Sequence, residues 1–83
     1  MKYELTSHAK EALVERGISV AWLERTLREP ESKKPDPNDP EVERRYRKIP
    51  EFGGRVLRVA VNTTVEPERV VSVFFDRSMK GEL

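Results

Sequence analysis

Leu5-Thr6-Ser7-His8-Ala9-Lys10-Glu11-Ala12-Leu13-Val14-Glu15-Arg16-Gly17-Ile18-Ser19 is the stretch that decides the fold. Thr6 or Ser7 supplies a side-chain oxygen to cap a helix. That helix is predicted from about His8 to Arg16, with Ala9, Ala12 and Leu13 turned inward. Gly17 suits the left-handed position that ends a helix. Ser19 caps a second helix, in which Val20, Leu23 and Leu27 share one face. Pro30 blocks continuation beyond about Glu29. The pattern is a helical hairpin joined by a single glycine turn.

The flanks read as strands. Tyr3-Glu4-Leu5 alternates briefly, as an edge strand does. Arg44 to Ile49 and Val70 to Phe75 are strand-like, and Arg55 to Thr63 is the clearest, with Leu57, Val59 and Val61 alternating. Pro50-Glu51-Phe52-Gly53-Gly54 turns the chain between two of them. The order is strand, helix, helix, strand, strand, strand. This is an α+β fold, with the helix hairpin on one face of a three- to four-stranded antiparallel sheet. One domain is expected over residues 1–83, with a proline-rich loop at about 31–43 and a polar tail at about 77–83.

Composition narrows the functional classes. There is no cysteine and only one histidine, so no disulfide framework and no zinc site of the usual kind is expected. No cofactor is implied. No apolar run approaches a membrane span, and the first residues lack the layout of a signal peptide, so a cytoplasmic location is the expectation. Charged residues make up 37% of the chain, against a usual figure of about 25%. The net charge is +1, but it is unevenly spread. Residues 1–43 hold seven Lys/Arg and ten Asp/Glu, a balance of −3, while residues 44–83 hold nine and five, a balance of +4. A basic half attracts phosphate even in a near-neutral chain.

Three groups of residues can carry chemistry. His8 sits in the first turn of the first helix, where it serves as a general base or acid, a hydrogen-bond partner, or packing. Arg16 lies on nearly the same side, about 12 Å farther along the axis. Arg44-Arg45-Tyr46-Arg47-Lys48 places one aromatic among four cations. If Tyr46 joins the core, Arg45 and Arg47 fall on the open sheet face near Arg58. Arginine grips phosphate oxygens with a planar fork, and a tyrosine stacks on a base. The competing reading is an edge strand charged against aggregation. Asp76-Arg77-Ser78 leaves the last strand, where Arg77 faces a cleft or forms a surface pair. Trp22 either seals the core rim or anchors a partner.

Ser7-His8-Ala9, Glu15-Arg16-Gly17-Ile18-Ser19, Arg45-Tyr46, Gly54-Arg55-Val56-Leu57-Arg58-Val59 and Val70 to Gly81 together resemble the family grouped as domain of unknown function 4258. The resemblance implies kinship with RelE-like and BrnT-like toxins, small ribonucleases built from a strand, two helices and an antiparallel sheet. It carries over His8, Arg16, Arg45, Tyr46 and Arg58 as candidate positions. The insert Lys34 to Pro40, Trp22 and the modest net charge depart from that pattern.

The functional expectation is a metal-independent endoribonuclease of the toxin type. His8, Arg58 and Tyr46 are the catalytic candidates, with Arg16, Arg45, Arg47 and Arg77 holding substrate phosphates. The alternative is a non-catalytic module of the same fold that binds RNA or protein. RNA, and a protein antitoxin or other protein, are the partners implied.

Overall fold

The computed structural model describes residues 1–83. Five strands and two helices follow in the order β1 (Glu4–Leu5), α1 (Ser7–Glu15), α2 (Val20–Arg28), β2 (Ser32–Pro35), β3 (Val42–Ile49), β4 (Arg55–Asn62) and β5 (Arg69–Phe75). Both helices lie on one face of a single sheet, ordered β1-β5-β4-β3-β2.

The caps form as the sequence indicates. The Thr6 hydroxyl accepts from the Ala9 amide at 3.1 Å, and the Ser19 hydroxyl accepts from Ala21 at 3.1 Å. Gly17 takes φ of 61°, a left-handed conformation that side chains rarely adopt, which lets the Ile18 amide return to the Leu13 carbonyl at 2.9 Å. Ala9, Leu13, Ile18, Leu23 and Leu27 then pack on Ile49, Leu57, Val59, Val61, Val70 and Val73. Val20 does not share this interior. It is 52% exposed, and Thr26 is buried instead, its hydroxyl donating to the Trp22 carbonyl at 2.9 Å.

The sheet is wider and more mixed than the sequence indicates. β1 pairs with β5 in parallel, and the other pairings are antiparallel. Ser32–Pro35, inside the segment read as a loop, pairs with Tyr46 to Glu43 of β3. Proline has no amide hydrogen to donate, but an edge strand leaves one side unpaired and so tolerates Pro35. Asp36 then turns the chain, accepting from the Asn38 amide at 2.8 Å.

The strand β3 corrects the placement of two arginines. Register sets Arg45 opposite Val59, Arg47 opposite Leu57 and Tyr46 opposite Arg58. Because Leu57 and Val59 face the helices, Arg45 and Arg47 do too, and the open face receives Tyr46. The physical reason is the end of α2. A helix leaves its last carbonyls without partners. Arg45 donates to the Leu27 carbonyl at 3.3 Å, and Arg47 donates to that of Glu29. Arg45 also forks onto Glu68 at 2.9 and 3.1 Å and reaches Glu43 at 2.7 Å. It is only 7% exposed. Tyr46 is buried as well, but in a second cluster with Val56 and Met79.

An Arg25–Glu51 fork at 2.8 and 3.0 Å ties α2 to the turn before β4. Trp22, Phe52 and Phe75 close the core rim, with ring centroids 4.9 to 6.1 Å apart. No helix is long and apolar enough to cross a membrane.

Removing Arg45 strands a buried carbonyl and two carboxylates at once. Arg45→Ala is expected to lower stability by about 2–3 kcal/mol in chemical denaturation, and Arg47→Ala by about 1 kcal/mol.

Candidate functional site

The strand β1 covers the outer edge of β5 only at Arg69 and Val70. Beyond that point the residues capping α1, Thr6 and Arg16, take over. The Thr6 hydroxyl donates to the Val71 carbonyl at 3.3 Å, and Arg16 donates to that of Val73 at 3.3 Å. Gly17 turns the chain immediately after Arg16, so this side chain leaves the end of α1 and lies against the strand edge. Its guanidinium stands 5.7 Å from the Phe74 ring centre.

Consecutive strand residues point to opposite faces. Phe75 therefore enters the core rim, and Phe74 emerges on the face away from the helices. There Arg58, directly opposite on β4, places its guanidinium 3.9 Å from the Phe74 ring centre. The same arginine reaches Asp76 at 3.3 Å. Asp76 in turn accepts from the Ser78 amide at 3.0 Å and its hydroxyl at 2.6 Å, capping a 3-10 turn at Arg77–Met79.

These elements frame a cleft of about 540 Å³ at the end of the sheet. Its cations are Arg16, Arg55, Arg77 and Lys80, and its rings are Phe52, Phe74 and Phe75. Arg55 lies 5.0 Å above the Phe52 ring centre. The chain's six ion pairs engage Arg25, Arg44, Arg45, Arg58 and Arg69, so none of the four cleft cations has a carboxylate partner. Asp76 is the single acid in the lining, and both of its oxygens are already occupied by Arg58 and Ser78. The Ser78 hydroxyl above all, with the Ser78 amide and the Arg58 and Arg44 charges, holds its carboxyl below the usual range despite partial burial. The cleft thus offers positive charge beside aromatic faces, with an anion that stays ionised near neutral pH.

Of the residues singled out in the sequence, Arg16 and Arg77 meet in this cleft. Arg58 braces it from behind Phe74 and Asp76. Tyr46 lies one strand farther, 3% exposed, with the Lys34 ammonium 5.7 Å from its ring centre. Arg45 and Arg47 are on the helix-covered face, turned to the end of α2. His8 is exposed in the first turn of α1, about 12 Å along the axis from Arg16, and outside the cleft lining. Arg55 and the three phenylalanines were not singled out for function. The Phe74-Phe75 pair carried a usable signal, because adjacent strand residues send one ring away from the core.

No three His, Cys, Asp or Glu side chains gather where they could hold a metal ion. A family model, the domain of unknown function DUF4258, matches residues 5–75. The chain belongs to this family. The DUF4258 match runs from β1 to the end of β5 and includes Arg16, Arg58 and Phe74, while Arg77 and Lys80 lie past it. No curated protein and no solved structure matches the chain.

Asp76 is depressed in the folded state, so its contribution is present above the ordinary aspartate range. It is lost as pH falls through the folded value. NMR titration should show Ser78→Ala raising the Asp76 pKa toward the ordinary range, and by more than Arg58→Met does.

Proposed function

We propose that this domain binds single-stranded RNA in the cleft at the end of β5. The observation that carries this reading is the set of four carboxylate-free cations beside three phenylalanine rings. Arg16, Arg77 and Lys80 contact phosphates, and Phe74 offers a stacking surface with Arg58 supporting its ring. The cleft volume of about 540 Å³ lies within the usual range for a ligand site, roughly 300–1,000 Å³. The kinship with RelE-like and BrnT-like toxins that the family resemblance implies favours RNA as the polyanion.

Binding is favoured over cleavage by the proton-transfer groups. Metal-independent cleavage needs a base for the ribose 2′-hydroxyl and an acid for the leaving oxygen. Asp76 is held ionised by Ser78 and Arg58, which makes it a poor base. Tyr46 is enclosed by Val56 and Met79. His8 reaches a phosphate only on an RNA that extends from the cleft along α1.

A labelled oligouridine should bind with a log affinity that falls linearly with log salt. Arg16→Ala and Arg77→Ala should each reduce the slope by about 0.7. Absence of binding at low salt overturns the reading. The RNA should also remain intact in the presence of a chelator. Cleavage that drops by about two orders of magnitude in His8→Ala would establish the ribonuclease reading instead.

A further inference from the structure

Arg77 and Lys80, half of the cleft's cations, come from the segment that follows β5. Short and polar, that segment has a single well-buried side chain, Met79. Met79 sits against Tyr46 and Val56 on the open sheet face, and Leu83 packs on the same cluster. The backbone adds one tether to β4 and two bonds within the segment. The Asp76 amide donates to the Val56 carbonyl at 2.8 Å, the Met79 amide to Asp76 at 3.2 Å, and the Glu82 amide to Met79 at 3.0 Å.

The turn geometry links this burial to the cleft. A 3-10 turn has three residues per turn, so side chains at i and i+3 lie over one another. Arg77 and Lys80 have this spacing, and the Lys80 amide donates to the Arg77 carbonyl at 3.3 Å. They face the cleft together, while Met79 points about a third of a turn away. Seating Met79 therefore sets the direction of both cations.

We propose that Met79 is the positioning residue of the cleft: its seat on Tyr46 and Val56 delivers Arg77 and Lys80 to the phosphates of the bound strand. Tyr46 acts as part of that seat. The RNA identity of the ligand rests on the reading above, whereas the delivery of two cations to an anion does not depend on it. Val56 lines the cleft and also touches Met79, so seat and site share a wall.

The test uses the full chain with two probes, an oligouridine and inorganic tripolyphosphate. The variants are Met79→Ala, Met79→Val, Met79→Leu, the Arg77→Ala/Lys80→Ala double and the triple with Met79→Ala. The main core is a cluster separate from Met79, so folded protein is expected, with circular dichroism confirming it at the assay temperature. Met79→Ala should reduce the log–log salt slope for oligouridine by about 1.4, as the double variant does, because each removes the same two phosphate contacts. The triple variant should bind no worse than the double, Met79→Leu should match the parent, and Met79→Val should fall between. A parent-like slope in Met79→Ala, or losses that add in the triple, overturns the proposal. If Met79→Ala does not fold, a parent-like slope in Met79→Val overturns it. Tripolyphosphate bound by the parent and weakened in Met79→Ala, without oligouridine binding, supports the positioning role and refutes the RNA reading. A parent chain that binds neither probe refutes both.

Discussion

The two arginines that satisfy the end of α2 orient much of this molecule. A helix of nine residues that stops over a sheet leaves carbonyl oxygens with no intrahelical donor. Strand β3 passes beneath that end, and Arg45 and Arg47 supply the donors. Once they point toward the helix, alternation sends Arg44, Tyr46 and Lys48 to the opposite face. The antiparallel register then sets Arg58 beside Tyr46 and Phe74 beside Arg58, in a row across three strands. A buried arginine is tolerable here because Glu43, Glu68 and a carbonyl surround its guanidinium.

The cleft exists because β1 is short. With two paired residues it leaves most of the β5 edge without a strand partner, and side chains from the residues that cap the two ends of α1 bond to that edge instead. One of these is Arg16, which satisfies a backbone carbonyl and still presents charge outward. At the same end Arg55 begins β4, and the turn after β5 adds Arg77 and Lys80. Four cations without carboxylate partners in one hollow repel one another, an arrangement that a bound anion relieves.

Much of the architecture was legible along the chain. Caps at Thr6 and Ser19, the left-handed Gly17 and the alternation of Leu57, Val59 and Val61 are local signals, and local forces enact them. Strand β2 was not legible, because Ser32-Lys33-Lys34-Pro35 has neither apolar alternation nor β-branched residues. It forms through pairing with β3. Arg16 and Arg77 were legible as cations suited to phosphate. Their meeting was not, since 61 residues separate them in the chain.

By itself, then, the sequence determined the helix hairpin, the three long strands and the class of fold, because capping, glycine conformation and hydrophobic period act over a few residues. Tertiary structure alone decided which face of β3 each side chain occupies, since the carbonyls at the end of α2 outweigh the simple rule that an aromatic faces the main core. It also gathered the charges of the cleft, because that depends on which edges and ends of the sheet are left uncovered, and such exposure is a property of the packed whole.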